Sequence, residues 1–252
     1  MSYFVRPHPK TNPSLRLIAF HHAGGSAAMY YPMSAQLPQN WELLILDLPG
    51  RGKRYAQPPL HDLTTLVHRV VEDVRPWLDT PIALFGHSLG AILAAEVGRV
   101  CERAAAPLLW VGVSGRVAPT LQAQTRRLST LDDDALLAEV AALGGTPGRV
   151  GEIPELREHF LRVVRADIAA LESYEPAVDR PVLRCPVTAF AGTSDVWAPP
   201  TTMRPWARET RSDFHLRLFE GGHFFFLGPA FAHFTRDVVN EITSCLDAGV
   251  AS

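Results

Sequence analysis

Ile82-Ala83-Leu84-Phe85-Gly86-His87-Ser88-Leu89-Gly90 is the stretch on which the fold turns. Ile82 to Phe85 reads as a buried strand and Leu89 to Arg103 as a helix, so Gly86-His87-Ser88-Leu89-Gly90 fills the turn between them. A Gly-x-Ser-x-Gly turn in that setting has the pattern of a nucleophile elbow, which leaves a serine hydroxyl projecting at the edge of a sheet. The two glycines are expected to keep strand and helix from colliding around a non-glycine residue held in a strained conformation. The helix that follows points its N-terminal N–H groups toward negative charge developing near Ser88. The plainer reading makes Ser88 an ordinary helix N-cap, a position serine favours.

Outward from this turn the chain alternates short apolar runs with helical patterns, as a mostly parallel sheet covered by helices requires. The runs are Leu15 to His21, Leu43 to Leu48, Ile82 to Phe85, Leu108 to Val113, Val187 to Ala191 and Phe214 to Phe219. Helices are predicted over Asp62 to Leu78, Leu89 to Arg103, Thr202 to Glu209 and Ala230 to Cys245, giving a β-α-β order throughout. From Ser114 to Cys185 no strand pattern occurs, a span far longer than an ordinary connection. Its own pattern is helical. Leu131, Leu136, Leu137 and Val140 follow a helix start at Asp132 and Asp133, and Leu143-Gly144-Gly145 reads as a stop. A second helix is predicted from Pro154 to Glu172, with Leu156, Phe160, Val163, Val164, Ile168 and Leu171 on one face. The expected architecture is therefore an α/β core of residues 1–113 and 186–252, with residues 114–185 inserted as a helical lid. A rigid subdomain that only thickens the core is the alternative.

A serine nucleophile needs a histidine base oriented by a carboxylate, and on this architecture the chain order is Ser, then Asp or Glu, then His. Three histidines follow the insertion: His215, His223 and His233. His215 lies inside the last strand pattern and His233 in the last helix, whereas His223 follows Gly221-Gly222 on a loop at the sheet's C-terminal edge, where catalytic groups gather. Asp195, just past the strand Val187 to Ala191, is the matching acid, with an Asx-turn as its plainer role. Asp213 precedes a strand and falls at the opposite edge. After the first strand, His22-Ala23-Gly24-Gly25-Ser26 forms a small-residue turn at the same edge, so the N–H groups of Ala23 and Leu89 are the candidate oxyanion hole. No Gly-x-x-x-x-Gly-Lys follows to make this a phosphate loop.

Composition narrows the partners. With 252 residues, 47% of them hydrophobic, the chain has the apolar content for one full α/β core. A net charge of -2 and the absence of a basic stripe argue against nucleic acid. The polar, proline-containing residues 1–13 lack the apolar segment of a signal peptide, and no run approaches a membrane span, so a cytoplasmic protein is expected. Cys101, Cys185 and Cys245 share no metal-ligand spacing and read as free thiols.

Five motifs together resemble a known family. His22-Ala23-Gly24-Gly25-Ser26, Leu48-Pro49-Gly50-Arg51-Gly52, Gly86-His87-Ser88-Leu89-Gly90, Leu143-Gly144-Gly145-Thr146-Pro147 and Gly221-Gly222-His223-Phe224-Phe225 are similar to those of the type II thioesterases that accompany polyketide synthases and nonribosomal peptide synthetases. The resemblance spans nearly the whole chain. It implies an α/β-hydrolase fold and hydrolysis of acyl or aminoacyl thioesters from the 4′-phosphopantetheine arm of acyl or peptidyl carrier proteins, which clears stalled or wrongly primed chains. It places Ser88, Asp195 and His223 on the family's triad and Ala23 and Leu89 on its oxyanion hole, with no metal or bound cofactor, in a monomer. Two positions depart from the pattern: His21 stands where a proline is expected, and Val196-Trp197-Ala198-Pro199-Pro200 is unusually proline-rich. A carboxylic ester hydrolase or a chain-releasing thioesterase of the same fold is the nearest enzymatic alternative, and a non-catalytic binding protein of this fold the alternative from another class.

Overall fold

The computed structural model describes residues 2–121, 127–144, 150 and 152–250. Seven strands, β1 (Phe4–Val5), β2 (Leu15–Phe20), β3 (Trp41–Leu46), β4 (Ile82–His87), β5 (Leu108–Ser114), β6 (Val187–Gly192) and β7 (Phe214–Phe219), form one sheet ordered β1-β3-β2-β4-β5-β6-β7. All pairings are parallel except β1 with β3. The helices are α1 (Leu63–Val74), α2 (Leu89–Arg103), α3 (Asp133–Ala142), α4 (Pro154–Glu172), the short α5 (Pro200–Met203) and α6 (Phe231–Val250).

Strands β2, β3, β4 and β6 are buried along their whole length, which is why they read as continuous apolar runs rather than alternating ones. Alternation survives in where each side chain goes. Ile18, Phe20, Leu44, Leu46 and Leu84 enter the core under α1 and α2, while Leu17, Ala19, Leu43, Ile45, Ala83 and Phe85 enter the core under α6. At roughly 1.5–3 kcal/mol per fully buried large apolar side chain, these two layers carry most of the favourable folding free energy.

Several expectations are corrected. β1 lies within residues 1–13, where no strand was predicted; it is a two-residue antiparallel edge strand, too short to leave a periodic signal. Between β2 and β3, where no helix range was predicted, the crossover is a 3-10 helix over Ala27–Ala35, with Pro32 inside it. The predicted helix Thr202 to Glu209 divides into α5 and a 3-10 turn over Arg204–Glu209, where Pro205 has no N–H to continue the α pattern. The helix expected to reach Leu78 ends at Val74, before a 3-10 turn containing Pro76.

The long segment between β5 and β6 carries α3 and α4. Asp132 caps α3 by accepting the Ala135 N–H at 2.9 Å, and Gly144 closes it with φ +85°. Of the stop Leu143-Gly144-Gly145 and the motif ending in Thr146-Pro147, residues 145–147 lie outside the described residues. Leu136, Val140, Phe160, Leu161, Val164 and Ile168 form a small apolar cluster of their own, whereas Ala170 and Leu171, at the end of α4, join the core under α1 and α2. Leu156, assigned to the apolar face of α4 from its spacing, is instead 47% exposed.

Candidate active site

β2, β4, β6 and β7 run parallel, so the turns that follow them gather at one edge of the sheet. β4 runs into α2 with only Ser88 between them. Ser88 has φ 55° and ψ -113°, and its side chain makes no capping hydrogen bond, so it is not an ordinary N-cap. Such a conformation in a non-glycine residue persists only where the surroundings over-determine it. They do so here by contact of backbone on backbone: a Cβ on Gly86 would lie 1.8 Å from the Gly90 carbonyl oxygen, and one on Gly90 2.0 Å from that of Phe20.

Asp195 sits past β6 in a turn closed on its own Oδ1, which accepts the N–H groups of Trp197 at 2.8 Å and Ala198 at 3.0 Å. Its Oδ2 lies 2.8 Å from Nδ1 of His223. The Asx-turn and the acid–histidine pair are thus the same residue in two roles. Burial would raise the Asp195 carboxyl, but the His223 hydrogen bond and the two backbone N–H groups outweigh it and hold the group below the usual carboxylate range. With Nδ1 occupied, Nε2 is the ring nitrogen left for a substrate-side partner. Among the described residues no hydrogen bond yet joins it to Ser88 Oγ; bonds of this kind commonly tighten only in the substrate complex.

Three further histidines lie nearby, His87 against His223 and His22 and His21 in and before the turn after β2. The His87 ring lies 4.7 Å from that of His223, and its Nδ1 is 2.9 Å from Ser114 Oγ. The His22 ring lies edge-on to Phe224, and His21 bridges the carbonyl of His22 and the N–H of Leu48. Burial, reinforced by neighbouring imidazoles or by Arg51, lowers His21 and His22 to about 3 and pushes His87 well below the ordinary histidine value. All three are therefore neutral near pH 7, and none of them adds a positive charge beside His223.

The turn after β2 supplies the rest. Gly24 donates its N–H to Asp167 on α4 at 2.7 Å, Gly25 donates to the His22 carbonyl at 3.0 Å, and Ser88 donates its own N–H to the Ser114 carbonyl at 2.8 Å. Ala23 and Leu89 make no such bonds among the described residues. Ser88, His22, Ala23, Trp197, His223 and Phe224 line one cavity, and α3, the turn after it and α4 close it with Val140, Leu143, Val164, Ile168 and Leu171. Its volume is about 30 Å³, room for one or two waters.

The competing residues stand apart. His215 and Arg217 bind Glu241, His233 pairs loosely with Asp237 at 3.7 Å on the surface, and the Asp213 carbonyl meets Val187 at the opposite end of the sheet. A larger groove of about 480 Å³ along α1 and α2 holds none of the Ser88, Asp195 or His223 side chains. Among the described residues no group of three His, Cys, Asp or Glu is placed to hold a metal, and no helix is long and apolar enough to cross a membrane. Cys101, Cys185 and Cys245 are free thiols.

The family model described as "Thioesterase domain" matches residues 15–239. The chain belongs to the thioesterase family. It is 41% identical to the thioesterase PikA5 of Streptomyces venezuelae over 87% of this chain and 78% of that protein. The solved structure of the type II thioesterase BorB from the borrelidin biosynthetic cluster superposes with a TM-score of 0.86 at 35% identity, over 97% of both chains. RedJ, from the prodiginine pathway of Streptomyces coelicolor, does so with 0.85 at 34% identity over 91% of both. The α/β-hydrolase fold and thioester hydrolysis by a type II thioesterase follow from this kinship.

Sequence reasoning missed two side chains that support the turn beside the candidate site. Asp167 and Arg51 form a buried bidentate ion pair, Arg51 Nη2 meeting Asp167 Oδ1 at 2.8 Å and Nη1 meeting Oδ2. A signal existed: Asp167 falls among Val163, Val164, Ile168 and Leu171, on a helix face that is otherwise apolar.

Proposed function

We propose that Ser88, His223 and Asp195 hydrolyse acyl thioesters carried on the 4′-phosphopantetheine arm of acyl or peptidyl carrier proteins, through an acyl-Ser88 ester. The observation that carries this reading is the Asp195–His223 hydrogen bond at 2.8 Å beside a strained Ser88 in one cavity. As Ser88 Oγ attacks the thioester carbonyl, His223 Nε2 takes its proton. Asp195 holds the imidazole in the tautomer with Nδ1 protonated and stabilises the imidazolium. The N–H groups of Ala23 and Leu89 receive the oxyanion, aided by the N-terminal dipole of α2. The tetrahedral intermediate collapses with cleavage of the C–S bond, and His223 returns its proton to the departing thiolate. Water deprotonated by His223 then attacks the Ser88 ester; the C–Oγ bond breaks as His223 returns this proton to Ser88 Oγ, and the carboxylic acid leaves. Every proton is carried by His223, so the sequence needs no metal or bound cofactor.

The insertion of residues 114–185 acts as the lid. A cavity of about 30 Å³ holds no acyl chain, so α3 and α4 move to admit one, and the apolar side chains they contribute become its walls. Ser88→Ala tests the chemistry. Hydrolysis of an acyl-loaded carrier should fall to background with the melting temperature unchanged; comparable turnover by the variant contradicts the assignment.

A further inference from the structure

We propose that Asp167 is a positioning residue for this reaction: its carboxylate, fixed by Arg51, holds the Gly24 N–H and thereby sets the Ala23 N–H of the oxyanion hole while α4 covers the site. The proposal rests on the assignment of Ala23 to that hole. Asp167 is 1% exposed, and a buried carboxylate persists only when its oxygens are satisfied. Arg51 occupies both oxygens in a fork, and Oδ2 has one further donor, Gly24 N–H at 2.7 Å. The guanidinium is itself anchored, since Nη2 and Nε donate to the Pro49 carbonyl at 2.8 and 3.2 Å. The carboxylate thus stands on a fixed base and reaches a backbone N–H next to the reacting centre.

α4 also meets the turn by shape. Gly24 has φ +75°, and a Cβ there would lie 3.0 Å from both Phe160 and Val164, so helix and turn are in contact where the Asp167 bond is made. Gly24 and Ala23 offer successive N–H groups in one small-residue turn, and securing the first leaves the second free only about the Ala23 torsions. Bond and contact both come from α4. Withdrawal of α4 removes them together, so the hole is assembled with the cover closed and relaxed with it open. This couples acyl admission to catalytic competence and suppresses hydrolysis at an uncovered serine.

Two variants separate positioning from support. Asp167→Asn keeps the shape and removes the charge. Arg51→Met combined with Asp167→Leu replaces the ion pair by apolar bulk, an exchange that often preserves folding, and removes the acceptor for Gly24. With a short acyl-N-acetylcysteamine thioester, kcat of the double variant should fall about 10- to 100-fold with KM within about 3-fold. Affinity for the matching acyl trifluoromethyl ketone, which forms a tetrahedral oxyanion on serine, should fall by the same factor, and the pH–rate profile should not move. Asp167→Asn should show the same pattern at about 3- to 10-fold. Unchanged kcat and ketone affinity, a rise in KM alone, or a moved pH profile without loss of ketone affinity each overturns the proposal. In the wild-type enzyme the Gly24 amide should exchange at least about 100-fold more slowly than exposed loop amides; fast exchange overturns the proposal whether or not the variants fold. Ser88→Ala run alongside distinguishes the two readings. Full activity in that variant rejects the site itself, whereas an inactive Ser88→Ala with fully active Asp167 variants rejects only the positioning role.

Discussion

The nucleophile turn and the insertion that covers it are built by different means. Around Ser88 the constraints are backbone against backbone, with Gly86 and Gly90 packed so closely that even a methyl group has no place. Around α3 and α4 the constraints are largely side chains, among them a small apolar cluster, the buried Arg51–Asp167 ion pair and contacts on the rim of a cavity. The first arrangement leaves no room for a side chain at either glycine flanking Ser88. The second rests largely on side-chain contacts, and as the proposed lid it opens, as a cover over an active site must. On the proposed reading, geometry for chemistry is stored in the sheet edge and access in the insertion.

The contrast is sharpest in variants that touch one region and spare the other. Asp195→Asn should leave the fold intact and lower kcat about 10⁴-fold, equivalent to roughly 5.4 kcal/mol of transition-state stabilisation, because His223 loses its tautomer and its counter-charge. Steady-state hydrolysis beside a melting curve checks it, and a loss under 10-fold would move the acid elsewhere. Gly86→Ala should cost more than about 4 kcal/mol of stability and remove activity with it, since the obstructing atoms are backbone. A folded, active Gly86→Ala enzyme would mean that the turn adapts. Leu136→Ala, in the cluster of the insertion, should cost about 2–5 kcal/mol by denaturant unfolding. It should nevertheless leave turnover of a short thioester, per folded molecule, within about 10-fold; a collapse of kcat would show that the two regions are not separable.

A smaller effect follows from the buried histidines. Folding makes His21, His22 and His87 harder to protonate, so the unfolded chain takes up protons first as pH falls below about 6.5. Stability contributed by these groups is complete above that value and is lost progressively down to about pH 3, where folded His21 and His22 protonate too. Each contributes a slope of about 1.4 kcal/mol per pH unit across that window. His22→Gln should flatten the slope between pH 6 and pH 4 by about one such increment, read from urea midpoints; an unchanged slope would mean that His22 titrates normally.

What was legible in the sequence divides along the same line. β2, β3, β4 and β6 stood out because burial on both faces leaves unbroken apolar runs, and Ser88, Asp195 and His223 because each sits just beyond a strand end in a turn-forming context. These are local signals. The two residues of β1 left none, and prolines 76 and 205 turned parts of predicted α-helices into 3-10 turns. Arg51 and Asp167 lie 116 positions apart, so only the tertiary fold tells what each is for, although a carboxylate on an apolar helix face was a visible anomaly. The neutrality of His21, His22 and His87 was likewise hidden, being a product of burial rather than of spacing.

Intact-mass analysis of the enzyme, quenched within milliseconds of mixing with an acyl-loaded carrier protein, tests the central claim most directly. An increment equal to the acyl group, mapped to the peptide containing Ser88 and persisting longer in Asp195→Asn, is the predicted result. Release of the free acid with the Ser88 peptide unmodified at every time point, at a rate unchanged in Ser88→Ala, would contradict it.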